Sequence, residues 1–365
     1  MKEIAIIGGG VVGVTAAYYL SKNPKFHVTV FDDGIGQATK AAAGIISPWF
    51  SKRRHKAWYR LARLGADFYV QLINDLEKSG ADTSFYQQTG TYLLKKKEEM
   101  LEDLYHLAVS RRQESPLIGD LDILSKNQAN RSFPDLDGFS KLLYASGGAR
   151  VDGYQLTKSL FEVSQVTFVQ EKVDFQTDGQ QYIIRGQIFD SLILATGAWV
   201  GELLTPLGYE VDVRPQKGQL CDYYFDNLIT DDYPVVMPEG ELDIIPFNNG
   251  RISVGASHEN NKGFDLSVDT ILMTEFELKA QAYFPKISQY TSRESRVGIR
   301  AYTSDYSPFF GEVPDLPNVY VASGLGSTGL TIGPLIGNQL AKLVSEEQLD
   351  LNLDDYPVRN YIIRV

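Results

Sequence analysis

The chain has 365 residues, of which 43% are apolar and 22% charged. That is the make-up of an ordinary folded protein with room for two domains, and it argues against disordered, collagen-like and coiled-coil chains. Its 35 basic and 46 acidic residues leave a net charge of −11, without the basic footprint of a nucleic-acid binder, and the lone Cys221 excludes an internal disulfide or a multi-cysteine metal site.

In chain order, Glu3-Ile-Ala-Ile-Ile-Gly8 reads as a short apolar strand. Val11 to Leu20 reads as a helix packed on a sheet through Ala16, Ala17 and Leu20, and His27 to Phe31 as a second strand ending at Asp32 and Asp33. The apolar run Ile4 to Leu20 imitates a signal peptide, but its glycines are placed for a turn and no basic leader or cleavage site accompanies it. No other run is long enough to span a membrane, and a cytoplasmic location is the default with a single cysteine.

From Ser47 the texture changes to long charged helices, with Trp58, Leu61, Gly65, Phe68, Leu72 and Leu76 along one helical face and a second helix from about Lys97 to Arg112. Between them, Phe85 to Leu94 reads as extended. Hairpins are signalled by Asp178-Gly179, between Val173–Gln176 and Tyr182–Arg185, and by Asn249-Gly250, between Ile244–Phe247 and Ile252–Val254. Ser191 to Gly197 and Asn318 to Ser323 are apolar strands, the latter leading into a helix through Leu343. Strands suited to one parallel sheet are thus scattered from end to end, which implies two domains woven together rather than joined by one linker.

Gly8-x-Gly10-x-x-Gly13 stands between the first strand and the first helix, and Asp32 follows Gly13 by nineteen residues. In that context Gly8 and Gly10 let backbone approach a pyrophosphate, Gly13 permits close helix–strand packing, and the helix N-terminus offers N–H groups and partial positive charge. Asp32 is placed to accept hydrogen bonds from both adenosine ribose hydroxyls, with Asp33 one register step away. The bland alternative is a glycine turn in an α/β core with no ligand.

NAD and FAD share this half-site. Thr39-Lys-Ala-Ala-Ala-Gly44 is a run of small residues against which a flat ring and a diphosphate could press, or simply an alanine-rich helix start. Gly324-Leu-Gly326-Ser-Thr-Gly329 also lies between a strand and a helix but lacks a following acidic strand end. It reads either as a helix N-terminus able to stabilise charge at the pyrimidine end of a reduced flavin or as a glycine-rich packing helix.

With Ala195-Thr-Gly-Ala-Trp199, Pro215-Gln-Lys-Gly-Gln219, Gly298-Ile-Arg300, Asp305-x-x-Pro308-x-x-Gly311 and the segment Val321 to Pro334, these motifs resemble the D-amino-acid oxidase/glycine oxidase family of flavoproteins nearly end to end. The resemblance implies an α/β (mixed α+β) fold in which a Rossmann-like FAD domain, residues 1–46, 141–215 and 297–365, is interleaved with a substrate domain of residues 47–140 and 216–296 built on a mixed, largely antiparallel sheet. It implies non-covalent FAD held at Gly8, Gly10, Val11, Val12, Gly13, Asp32, Asp33, Thr39, Lys40, Ala43, Gly44, Ile45, Val173, Thr196, Gly197 and the run Leu325, Gly326, Ser327, Thr328, Gly329, Leu330 and Thr331. Cys221 itself reads as a buried small apolar residue.

Arg300 matches the family's carboxylate-binding arginine, and a planar guanidinium suits a bidentate grip on that group. The implied reaction is oxidation of an amino acid or related amine by hydride transfer from Cα to flavin N5, giving an imine that hydrolyses; no protein base is required, and no catalytic residue is named. Ser327 stands where glycine oxidases carry an arginine, Ala301 where a proline is usual and Asp243 at the place of a substrate-site tyrosine, so glycine itself is a doubtful substrate.

The alternatives are a flavin-dependent 2-hydroxy-acid dehydrogenase, for which His258 is the one weakly placed base, and a dinucleotide-binding protein without turnover. The four histidines show no metal-ligand spacing, and the basic stretches Ser51 to Lys56 and Lys95 to Lys97 read as solvated surface. The partner expected is a small amine or amino acid, with peripheral membrane association only if a quinone is the oxidant and oligomerisation left open.

Overall fold

The computed structural model describes every residue except Arg54 and Gln180, so part of the basic stretch 51–56 lies outside the described residues. The strand Lys2–Ile7 is apolar on both faces because both are covered, and Ile4, Ala5 and Ile6 have no solvent exposure. It pairs in parallel with Phe26–Phe31 on one side and Ser191–Leu194 on the other. Thr167–Val169, Val319–Ser323 and Phe309–Glu312 complete a six-stranded sheet, in which Phe309–Glu312 alone runs antiparallel to its neighbour.

The helix Val11–Ser21 lies on this sheet against the helix Gly329–Val344. A Cβ at Gly13 would fall 1.9 Å from the carbonyl oxygen of Gly8, and one at Gly337 would fall 2.5 Å from that of Val12. The bare backbones therefore set how closely helix, strand and partner helix approach. Lys56–Lys78 backs the start of Gly329–Val344, where the Tyr69 hydroxyl donates to the Leu330 carbonyl at 2.6 Å.

The second sheet has eight strands in the order Ser292–Tyr302, Arg214–Tyr224, Arg251–Gly255, Asp243–Pro246, Val235–Met237, Thr91–Leu93, Lys141–Ala145 and Leu121–Ser125. Its pairs are antiparallel except Val235–Met237 with Thr91–Leu93, matching the mixed, largely antiparallel sheet expected. Lys141–Ala145, placed in sequence with the first unit, pairs in this second sheet, because its partners Thr91–Leu93 and Leu121–Ser125 are both there.

At the second hairpin Asn249 and Gly250 both take positive φ, 59° and 71°, as a tight hairpin turn requires. The first hairpin differs from expectation: Thr177 pairs with Tyr182, so Asp178 and Gly179 belong to a wider loop, and the leading strand is only Gln176–Thr177. Among the described residues no helix is long and apolar enough to cross a membrane.

Candidate active site

A cavity of about 1020 Å³ runs between the two sheets, lined at one end by the N-terminal glycine turn and at the other by Lys95, Met100, Met237, Asp243 and His258. Its volume is at the top of the range for small-molecule sites, enough for a dinucleotide and a substrate together.

Of the residues singled out in sequence, Gly8, Gly10, Val11, Val12, Asp32, Asp33, Thr39, Ala43, Gly44, Ile45, Val173, Thr196, Gly197, Arg300 and the run from Leu325 to Thr331 all line this one cavity. Two do not. Gly13 lies beneath the turn as a packing contact, and the Lys40 ammonium points away, 5.9 Å from the centre of the Tyr154 ring.

At the end lined by the glycine turn, Gly10 precedes the first helix without a capping side chain of its own, and Val11 N donates to Thr39 Oγ1 at 3.0 Å. Asp32 is more occupied than the sequence suggested. Its Oδ2 accepts from Gly9 N, and its Oδ1 from Gly34 N at 2.5 Å and Gln37 Nε2 at 2.7 Å. Three of about four acceptor positions on the carboxylate are thus filled by protein, leaving little for two ribose hydroxyls. Asp33 uses only Oδ1, for Ile35 N at 2.9 Å.

The middle of the cavity is bedded on 38–45, and this loop is tied to the second sheet. Ile299 N donates to Gly36 O at 3.0 Å, and Arg296 Nη1 donates to the carbonyls of Lys40 at 2.9 Å and Ala42 at 3.4 Å. Arg296 in turn pairs with the buried Asp222, Nε to Oδ2 at 2.7 Å and Nη2 to Oδ1 at 3.0 Å. Opposite, the helix Gly329–Val344 opens on Thr328 without a side-chain cap, and Ser327 N donates to the Tyr302 hydroxyl at 3.0 Å.

The cavity fits the expected FAD on its own chemistry. Gln37 Oε1, Ser47 Oγ and Thr196 Oγ1 are buried on its wall without a hydrogen-bond partner among the described residues, and the starts of two helices, uncapped by Gly10 and Thr328, line it. Buried polar groups are rarely left so unless a ligand or water completes them. Cys221 is fully buried in the core behind the second sheet, away from this wall.

Arg300 is half-buried. Its Nη1 donates to Ser257 O at 2.7 Å and Gln216 Oε1 at 3.3 Å, while Nε and Nη2 have no partner among the described residues. Among the described residues it belongs to no ion pair. Burial holds the guanidinium below its ordinary value, with Tyr302, Glu259 and Glu241 opposing. Burial, then the Arg300 charge, lowers His258 as well, leaving a neutral imidazole on the same wall. Phe50, Met100, Leu104 and Met237, which also line the cavity, carried no sequence signal because they come from separated segments, and Trp58, legible in sequence only as part of an apolar helical face, lines it too.

A family profile described as FAD dependent oxidoreductase matches residues 3–343. The chain is 38% identical to the uncharacterized oxidoreductase YurR of Bacillus subtilis over 98% of both chains. It is 30% identical to a glycine oxidase of Pseudomonas putida, covering 91% of this chain and 92% of that one. Among solved structures it resembles iminodiacetate oxidase (IdaA) from Chelativorans sp. BNC1, with a TM-score of 0.91 and 31% identity over 97% of this chain and 98% of that chain.

Proposed function

Since the chain belongs to the family of FAD-dependent oxidoreductases and oxidises an amino acid or related amine, we propose that its substrate is a D-amino acid or a secondary, N-substituted amino acid anchored by Arg300. The observation that carries this reading is the Arg300 guanidinium, which lines the cavity with Nε and Nη2 unpartnered among the described residues. Two parallel N–H donors are the complement of a carboxylate. The likeness to glycine oxidases and to an enzyme named for iminodiacetate, a secondary amine with two carboxylates, supports the same class.

FAD, when bound, supplies the two-electron acceptor for hydride leaving the carbon that bears nitrogen. The chain's own part is to hold that carbon. Ser257 and Gln216 fix one edge of Arg300, and Gln219 with Ser257 holds the 257–259 loop through Glu259, at 2.7 Å in each case. We assign the glycine turn, Thr39, the 43–45 bend and 325–331 to the cofactor, the six-stranded sheet to the cofactor unit and the eight-stranded sheet to the substrate unit. Lys40 then contributes through its backbone, which Arg296 holds, and a cytoplasmic setting suits the buried free thiol of Cys221.

Anaerobic titration of the FAD-loaded protein tests this, using D- and L-amino acids, N-methylglycine, proline, iminodiacetate and 2-hydroxy acids, then repeating in air with peroxide detection. Bleaching of the flavin by amines is expected. Bleaching by hydroxy acids alone would favour the second reading, a 2-hydroxy-acid dehydrogenase, for which neutral His258 beside Arg300 is a credible base. A flavin that no compound bleaches would remove the substrate assignment.

A further inference from the structure

The far lobe of the cavity contains a carboxyl group with nothing to hold. Asp243 opens the strand Asp243–Pro246 and lines the same cavity as Arg300. Among the described residues no hydrogen bond or ion pair reaches it; burial pushes it up to about 7, with Lys95 opposing. Asp243 is half-buried, its carboxyl facing the cavity without a donor from the protein, and a ligand filling the cavity would take away what solvent reaches it.

Its position relative to Arg300 follows from the sheet. Between the strand of Arg300 and that of Asp243 lie Arg214–Tyr224 and Arg251–Gly255, so three strand spacings separate them, roughly 14 Å at about 4.8 Å each. They are staggered along the strands as well: Arg300 pairs with Gln216, whereas Asp243 pairs with Gly255 and through it stands level with Leu220. A molecule of glycine's size held by its carboxylate on Arg300 stops short of Asp243.

We propose that Asp243 determines substrate specificity by accepting a hydrogen bond from an N–H or O–H group at the end of the substrate remote from its carboxylate. The enzyme then takes amines several bonds longer than glycine with a polar donor at the tip. This rests on Arg300 being the carboxylate anchor. Lys95, from the chain after Thr91–Leu93, is the charge that favours ionised Asp243; Glu241 and His258 also face the cavity and act on the Arg300 end.

The test compares kcat/KM for two amines of equal length on the FAD-loaded full chain, one ending in a carboxamide or ammonium and one in methyl. The donor-ended compound is expected to be favoured by about tenfold or more in the wild type. The ratio falls toward unity in Asp243→Leu. In Asp243→Asn it falls part of the way and loses its rise with pH near neutrality, while flavin content reports that both variants fold. Equal kcat/KM for the two compounds in the wild type, or a preference surviving in Asp243→Leu, overturns the proposal. If the methyl-ended amine reduces the flavin as well as the other, only Asp243's role falls; if no amine reduces it, the amine reading falls and this inference with it.

Discussion

Gly218 lies directly under the guanidinium of Arg300: a Cβ built on it would stand 2.5 Å from Nη1 and 2.6 Å from Cζ. The arginine is laid flat on bare backbone of the neighbouring strand, and its aim depends on a side chain that is not there.

Gly218→Ala must therefore lift or turn the guanidinium. KM for a carboxylate-bearing substrate is expected to rise about tenfold or more with flavin content unchanged, and Arg300→Ala to cost several kcal/mol in kcat/KM, on the order of 2–4. Steady-state kinetics beside the flavin spectrum check both; an unaltered KM in Arg300→Ala would take this residue out of the site.

Arg296 and Asp222 form a pair whose carboxylate is 1% exposed. Replacing Arg296 by Met strands that carboxylate and should destabilise the fold by about 3–5 kcal/mol, with part recovered when Asp222→Leu is added. Urea unfolding of the two variants measures this. The same change frees the carbonyls of Lys40 and Ala42, so weaker FAD retention on dialysis is expected too.

Asp32 ties Gly9, Gly34 and Gln37 together. Asp32→Ala leaves those donors without their acceptor and should weaken FAD binding by about tenfold, some 1–2 kcal/mol. Fluorescence titration of the apoprotein with FAD reads the change, and an unchanged Kd would show that the turn keeps its shape without this carboxylate.

The raised pKa of Asp243, about 7 against an ordinary 3.8, gives a signed prediction for stability. Protonation favours the folded state, so this contribution is complete below about pH 4 and is lost as pH climbs through 7. Asp243→Asn should then be more stable than the wild type at pH 8, by on the order of 2–4 kcal/mol, and scarcely different at pH 4. Thermal melts at the two pH values decide it; a stabilisation equal at both would mean that folding does not raise the pKa of this carboxyl.

How much of this was legible in the sequence depended on distance along the chain. The glycine turn and Asp32 lie within one β-α-β unit, where local spacing dictates the turn, and the Gly324–Gly329 segment is read the same way. The occupation of Asp32 by Gly34 and Gln37 was not legible, because it depends on how the chain bends after the strand. Arg296 and the bed beneath Arg300 were invisible for a stronger reason, as was the lack of a partner at Asp243, which resemblance alone had placed in the site. Each is a property of strands brought together from positions near 218, 243 and 296, and no periodicity records which strands will be neighbours.

The short bridge between Gln37 and Ile299 places the proposed flavin bed one peptide away from Arg300. Donor and acceptor alignment is thereby inherited from covalent geometry, whereas the remote lobe hangs on different strands altogether. Selection can remodel that lobe to admit new amines without disturbing electron transfer, which gives one scaffold a physical route to many diets.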